Sequence, residues 1–211
     1  MKRRLVGILI IVAAILIIGL VFVFGMKHDE GTSGSANTMG ESEKVIGNPE
    51  KAKVVVFEYA DYGCSHCADW NNIMNELVEK YGEDFAIVYR GFNLGFKNGV
   101  AAARAATAAD FQGYWKKYKD LLFKNQAEWI NATASGAENY FIEYFEKASD
   151  GEGDVEKFKS DMKSNAAATQ VAYEQKMGEK INITATPTFY IDGQKIAVGD
   201  LVSKIEELMK R

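Results

Sequence analysis

The distribution of hydrophobic and polar positions predicts a strand, a helix and a second strand in the first half of the folded domain. The continuous run Val54-Val55-Val56-Phe57 is typical of a strand that is buried on both faces of a parallel sheet. From Trp70 to Tyr81 large apolar residues recur at helical spacing, and Gly82 follows where a helix would end. Residues 85–89 form a second buried run, so this order implies a right-handed parallel crossover.

The middle of the chain has a helical period. Between Gly99 and Lys180 there is no proline, and aromatic and aliphatic residues recur at helical spacing, which predicts a helical insertion. We predict breaks between its helices at Gly136 and at residues 151–153. Further helices are predicted over residues 154–162 and 166–177.

The strand period returns near the C-terminus. Two short runs, residues 188–191 and 194–198, flank an Asp192-Gly193 pair, which predicts an antiparallel hairpin that closes the sheet. A last helix is predicted from residue 201 onward, with Asp200 as its cap. The predicted fold class is therefore α/β with a helical insertion.

The N-terminal residues predict a membrane anchor. Residues 1–4 are basic, and residues 5–25 form an uninterrupted apolar run that can cross about 30 Å of hydrocarbon as a transmembrane helix. The basic cluster favours a cytoplasmic N-terminus with the remaining chain outside the cell membrane. A cleaved signal peptide is the alternative, although the run exceeds the usual ~7 to 15 apolar residues of such a segment. Residues 26–48, rich in Gly, Ser, Thr and Asn from Gly31 onward, predict a flexible linker.

Composition narrows the classes of function. The 211 residues, 47% of them hydrophobic, suit one globular domain with an appendage. A net charge of -4 argues against a nucleic-acid-binding surface. The chain has only two cysteines, and they lie three positions apart, so they do not form a disulfide framework between distant segments.

Cys64 and Cys67 lie at the predicted head of the first helix. Cys64 is expected to be the nucleophile, because unpaired N–H groups and the helix dipole lower the pKa of a thiol there. A protonated His66 would stabilise the thiolate further, and stabilising the reduced form makes the disulfide a better oxidant. A zinc site needs about four ligands, and a covalent haem site needs histidine where Ala68 stands. Redox chemistry by the cysteines themselves, with no metal and no other cofactor, is therefore the prediction.

Two further residues are candidates for the site. Glu58 lies six residues before Cys64 next to a buried run, where it could accept the proton of Cys67 through water. The alternative is that the strand ends there and Glu58 is solvated. Pro187 directly precedes the strand at residues 188–191, a position that proline also tolerates for structural reasons.

These motifs resemble those of the DsbA-like thiol:disulfide oxidoreductases. The resemblance is carried by FEYADYGCSHC at residues 57–67, by the alanine-rich residues 101–106 and by TATPTFYIDG at residues 184–193. It implies a thioredoxin fold interrupted by a helical domain. The implied boundaries are residues 49–98 and 181–211 for the thioredoxin-like domain and residues 99–180 for the insertion.

The resemblance also implies roles for the site residues. By similarity, Cys64 is the attacking cysteine, Cys67 the resolving cysteine and Glu58 the buried acid beneath them. Pro187 is the cis-proline that faces the cysteines, and the backbone of Thr186 pairs with an extended substrate peptide. Ser65 stands where many members have proline, and we assign it with Thr186 to substrate binding.

The resulting hypothesis is a membrane-anchored oxidase that donates its disulfide to cysteine-containing exported proteins. The resemblance implies that a quinone-linked membrane partner reoxidises it. One alternative is a tethered reductase or isomerase that uses the same residues in reverse. Another is a non-catalytic thioredoxin-like binding or chaperone module.

Overall fold

A computed structural model describes residues 39–40 and 42–211. Its strands are β1 (Lys44–Ile46), β2 (Val54–Ala60), β3 (Phe85–Gly91), β4 (Thr188–Ile191) and β5 (Gln194–Ile196). Within the described residues the sheet has strand order β1-β3-β2-β4-β5, in which β2 pairs in parallel with β3 and the other pairings are antiparallel.

The helices of the same residues follow the predicted order. A strand–helix–strand unit is followed by six helices in a row, then by the hairpin of β4 and β5 and a last helix, which confirms the α/β class with a helical insertion. The limits predicted for the domains stay predictions. The helices are α1 (Ser65–Tyr81), α2 (Gly99–Asp110), α3 (Trp115–Lys124), α4 (Gln126–Trp129), α5 (Ala134–Ala148), α6 (Val155–Lys163), α7 (Asn165–Lys180) and α8 (Leu201–Met209), with short 3-10 turns at Gly82–Asp84 and Val198–Asp200.

Strand β2 is buried on both faces, as its apolar run predicts. Side chains alternate between the faces of a strand, so Val56 and Ala60 share one face and Tyr59 lies on the other. The first two belong to the main core, together with Cys67 and other residues of α1. Tyr59 packs in a smaller cluster with Met177 of α7 and two other apolar residues. The centre of the sheet is therefore shielded from water. A polar side chain at this place is expected only where it has a partner or a functional role.

Several local predictions are wrong in detail. Gly136 does not break the insertion: it lies in the first turn of α5, where its N–H donates to Oγ1 of the capping residue Thr133 at 3.1 Å. The second predicted break, at residues 151–153, is confirmed by the gap between α5 and α6. Strand β5 ends at Ile196 rather than at residue 198. Asp200 stands at the N-cap of α8, but its side chain makes no capping hydrogen bond.

The linker prediction for residues 26–48 is wrong in its last part. Lys44–Ile46 forms the edge strand β1, and two buried ion pairs hold this end of the chain in place. Arg90 Nη2 lies 2.7 Å from Glu43 Oε1, and Lys44 pairs with Glu174 of α7. The polar composition suggested a flexible segment, because the partners of these charges are distant in sequence.

The predicted anchor at residues 5–25 and its basic flank at residues 1–4 lie outside the described residues. Among residues 39–40 and 42–211, no helix has the length and apolar character that crossing a bilayer requires.

Candidate active site

Cys64 occupies the N-cap position of α1 in an extended conformation, with φ -84° and ψ 122°. Its carbonyl accepts hydrogen bonds from the N–H groups of Cys67 at 3.1 Å and Ala68 at 3.2 Å, which begins the helix. Its own N–H donates to the backbone carbonyl of Asp61 at 3.0 Å. The thiol therefore lies at the positive end of α1, as predicted from the sequence.

The surroundings of Cys64 favour its thiolate. A hydrogen bond from the Cys67 thiol is the largest influence, and it outweighs burial, which acts in the opposite direction. The backbone N–H groups of Cys67 and His66 also stabilise the anion. Together they lower the pKa of Cys64 from 9.0 to about 5, so this thiol is ionised at neutral pH.

Cys67 has the opposite character. It is fully buried, and the hydrogen bond that it donates to Cys64, followed by its burial, raises its pKa far above the ordinary value of a thiol. Both cysteines are free thiols in this structure. The pair thus consists of one thiolate and one thiol that keeps its proton, which suits a nucleophile and a resolving group.

Glu58 is buried, with 3% of its surface exposed, and β2 continues past it to Ala60. The alternative in which the strand ends at a solvated Glu58 is therefore wrong. Burial raises the pKa of Glu58 from 4.5 to about 7, and the positive charge of Lys119 opposes this rise. No described residue donates a hydrogen bond to the carboxylate. Glu58 can therefore gain or lose a proton near neutral pH.

Thr186, which precedes Pro187, lies against the cysteines. The peptide bond between Thr186 and Pro187 is cis, which confirms that prediction. The Thr186 carbonyl oxygen lies 3.4 Å from Cys64 Sγ, where it can accept a hydrogen bond from this thiol in its protonated form. The structure thus brings together Cys64, Cys67 and residue 186 from two segments far apart in sequence, whereas the substrate-binding role of Thr186 stays a prediction.

His66 and Ser65 lie on the solvent side of the site. The His66 side chain is 81% exposed, and its Nδ1 is 4.0 Å from Asp69 Oδ2. The N–H through which His66 lowers the pKa of Cys64 belongs to its backbone. Ser65 is the exposed first residue of α1. The roles predicted for the imidazole and for Ser65 stay predictions.

Two residues that hold the motif were missed in the sequence. Asp61 Oδ1 accepts from the N–H of Gly63 at 2.8 Å, and its Oδ2 accepts from the N–H of Leu94 at 2.6 Å. Gln126 Nε2 donates to the carbonyls of Tyr62 at 2.6 Å and Cys64 at 3.1 Å. An aspartate two residues before a glycine is a turn signal that could have indicated Asp61. Gln126 carries no such signal, because it lies in the insertion.

Comparison with known proteins agrees with this geometry. A family model described as thioredoxin matches residues 40–210. The chain is 25% identical over 201 residues to the probable disulfide bond formation protein D of Bacillus anthracis, and the match covers 91% of this chain and 88% of that protein. The crystal structure of oxidised BdbD from Bacillus subtilis aligns with a TM-score of 0.66 and 20% identity, over 80% of this chain and 94% of that one.

A further relative differs in length. The chain is 29% identical over 151 residues to the Na(+)/H(+) antiporter NhaA of Herminiimonas arsenicoxydans. This match covers 72% of the chain, but it spans only 22% of the antiporter.

The redox-active group of DsbA-like enzymes is their own disulfide, which needs no external cofactor. Here the cysteine pair at the head of α1 has one ionised and one protonated thiol, and the same domain contains the cis Thr186–Pro187 bond and the buried acid Glu58. The family match extends over the sheet and the helical insertion alike. The chain therefore belongs to the thioredoxin family, as a thiol:disulfide oxidoreductase of the DsbA type.

Proposed function

We propose that this oxidoreductase is a protein-disulfide oxidase that donates the Cys64–Cys67 disulfide to cysteine-containing exported proteins. The observation that supports this direction is the difference between the two thiols. A Cys64 thiolate with a pKa of about 5 stabilises the reduced form, and a disulfide whose reduced form is stabilised is the stronger oxidant.

The proposed reaction has two exchange steps. A substrate thiolate attacks Cys64 Sγ, a mixed disulfide forms, and the bond between Cys64 and Cys67 breaks. Cys67 leaves with the electron pair and takes up a proton, for which Glu58 is the nearby donor. The second substrate thiolate then attacks the substrate sulfur of the mixed disulfide and releases Cys64 as a thiolate. The substrate loses two electrons, and the cysteine pair gains them.

The surface beside Cys64 supports a polypeptide substrate. Leu94, Phe96 and Val100 are exposed apolar side chains that follow β3. Phe96 lies so close to Gly63 that a side chain at that glycine would collide with it. Apolar surface next to a reactive thiol suits an unfolded chain that still exposes its own apolar residues.

The proposed location is the cell membrane, with residues 5–25 as a single anchor, a cytoplasmic N-terminus and an extracytoplasmic catalytic domain. The apolar run and its basic flank support this location. We further propose a quinone-linked membrane protein as the reoxidising partner, which rests on the resemblance to DsbA-like enzymes.

The redox direction can be tested with the full chain in detergent, equilibrated against glutathione at neutral pH. Alkylation followed by mass spectrometry then measures the reduced fraction. We expect a reduction potential less negative than roughly -200 mV, in the range of oxidising members of this superfamily. A value near roughly -270 mV, that of thioredoxin, would favour the reductase alternative.

The location can be tested in intact cells that produce the full chain. We expect the chain to sediment with membranes and Cys64 to react with a thiol reagent that does not cross them. Release of a soluble chain without residues 1–25 would instead support the cleaved signal peptide.

A further inference from the structure

We propose that Lys119, on helix α3 of the helical insertion, is a positioning residue that keeps the Glu58 carboxylate ready to accept the proton of Cys67. This inference rests on thiol–disulfide exchange by the cysteine pair, and it is independent of the redox direction proposed above.

Lys119 is a buried lysine, with 2% of its surface exposed. Lysine is rarely buried to this extent without a partner, because removing its charge from water is costly. Its Nζ donates to Asn71 Oδ1 and lies 3.2 Å from Asp120 Oδ1. The ammonium also lies 5.8 Å from the centre of the Trp115 ring. These contacts hold the charge in one place.

The contacts join the insertion to the helix that carries the cysteines. Asn71 and Asn75 belong to α1, and each donates from Nδ2 to Asp120 Oδ1 at 3.0 Å. A polar crevice of about 360 Å³, lined by these asparagines and Asp120, lies beside them. A polar space of this size can hold several waters. The Asp120 carboxylate is therefore shared among several donors, and it does not bind Lys119 alone.

The groups around Glu58 show what the Lys119 charge does. Strand β3 contributes Tyr89, which pairs with Glu58 in the sheet register, and Trp115 of α3 packs against Tyr89 with 5.4 Å between ring centres. Burial is the main cause that raises the pKa of Tyr89, and the charges of Glu58 and of Cys67 on α1 raise it further, so both groups lie near this ring. Strand β4 contributes Phe189, which is apolar. Tyr62, on the segment before α1, packs against Tyr89 with 5.5 Å between ring centres.

Thiols and phenols can only add negative charge to this pocket. Among the described groups that face Glu58, Lys119 on α3 is therefore the one that favours the ionised carboxylate.

This charge matters in the step in which Cys67 acts as the nucleophile. Cys67 transfers its proton to the Glu58 carboxylate and attacks Cys64 Sγ, to which a substrate sulfur is bound. The new Cys64–Cys67 bond forms, the bond to the substrate sulfur breaks, and the substrate leaves as a thiolate. Without the Lys119 charge, Glu58 is protonated in a larger fraction of molecules at neutral pH, so fewer of them can accept the proton of Cys67.

The test follows this step directly. The reduced full chain in detergent is mixed with oxidised glutathione, and samples quenched with acid are analysed by mass spectrometry for the Cys64–glutathione mixed disulfide. The rate at which this species decays, measured from about pH 5 to about pH 9, reports on the attack by Cys67. The rate at which the species forms reports on Cys64 and therefore on the exchange activity itself.

We expect Lys119→Met to slow the decay of the mixed disulfide roughly tenfold near neutral pH and to move the midpoint of its pH profile upward. Formation of the mixed disulfide should be unchanged. Lys119→Gln keeps a hydrogen-bond donor for Asn71 but lacks the charge, so it should behave like Lys119→Met. It replaces the methionine variant in the test if that variant does not fold. Lys119→Arg should restore the midpoint. Lys117→Met is the matched control on the same helix, because Lys117 is exposed and pairs with Asp150.

A double-mutant cycle separates this role from a purely structural one. In the Glu58→Gln background, where no carboxylate remains to be ionised, Lys119→Met should have no further effect on the decay rate. The proposal is overturned if the charge-removing variants keep the wild-type midpoint, or if Lys119→Met slows the decay equally in both backgrounds. Failure of the mixed disulfide to form at all would instead contradict the exchange activity.

Discussion

The edge and the centre of the sheet both contain buried carboxylates, but their surroundings differ. At the edge, Glu174 accepts hydrogen bonds from Lys44, from the N–H of Gly91 at 2.7 Å and from Gln170 at 2.9 Å. Glu43 likewise accepts two guanidinium N–H groups of Arg90, at 3.2 and 2.7 Å. In the centre, Glu58 receives no hydrogen bond from any residue that the structure describes.

This difference distinguishes carboxylates that stabilise the fold from a carboxylate that can take part in proton transfer. A buried carboxylate with several donors is stabilised as an anion and fixes the elements that supply those donors. A buried carboxylate that has a cation nearby but accepts no hydrogen bond can have a pKa close to neutral pH, as the value of about 7 for Glu58 indicates. The carboxylates at the edge of the sheet therefore hold β1 in place, whereas Glu58 in the centre can take up and release a proton.

The largest effect on stability is expected at the edge. Glu174→Leu removes the carboxylate that is hydrogen-bonded to the buried Lys44 and to the Gly91 N–H, so the free energy of unfolding should fall by about 3–5 kcal/mol. Urea unfolding of the full chain in detergent, followed by tryptophan fluorescence, measures the loss. Asp84→Ala is the control, because the exposed Asp84–Lys53 pair should contribute only about 0–1 kcal/mol. Equal losses in both variants would contradict a special role for the buried pair.

The next effect is a pH dependence at the centre. The folded state raises the pKa of Glu58 from 4.5 to about 7, so it binds the proton more tightly than the unfolded chain does. The resulting stabilisation is complete below pH 4.5 and is lost as the pH rises through about 7. Glu58→Gln lacks this change, so the wild type should lose about 3 kcal/mol relative to it over that interval.

Urea unfolding of both proteins at a series of pH values measures this difference. Other titrating groups, including Cys64, are common to both proteins and cancel in the comparison. Parallel stability curves for the wild type and Glu58→Gln would show that Glu58 does not titrate in this interval.

The smallest effect is expected for Gln126 of the insertion, whose neutral side-chain amide contacts the redox motif. Gln126→Ala removes the hydrogen bonds to the carbonyls of Tyr62 and Cys64 and should cost about 1 kcal/mol of unfolding free energy. It should also change the rate at which Cys64 is alkylated, because that carbonyl lies at the head of α1. Gln112→Ala is the matched control: its amide bonds the backbone of Asp154 in the insertion, so stability should fall similarly while Cys64 alkylation stays at the wild-type rate.

Local patterns determined much of this protein from its sequence alone. The apolar run at β2, the helical period of α1 and the insertion, and the Asp192-Gly193 turn each depend on residues that are neighbours in the chain. Both turn residues have positive φ, 49° and 74°, as such a hairpin requires. The position of Cys64 at a helix head also follows from neighbours, and so does its assignment as the nucleophile.

Tertiary structure alone decided which polar residues meet. From the sequence, Glu58 could be either buried or solvated, and the segment that forms β1 was predicted to be part of a linker. No sequence pattern indicated that Lys119 is buried near the site. Each outcome depends on a charge or a hydrogen-bond partner dozens of residues away in the chain. Hydrophobic periodicity indicates which face of a helix or strand is buried. A single polar pair between residues far apart in the chain produces no such repeating pattern in the sequence. Only the packing of the insertion and the edge strand against the sheet brings these partners together.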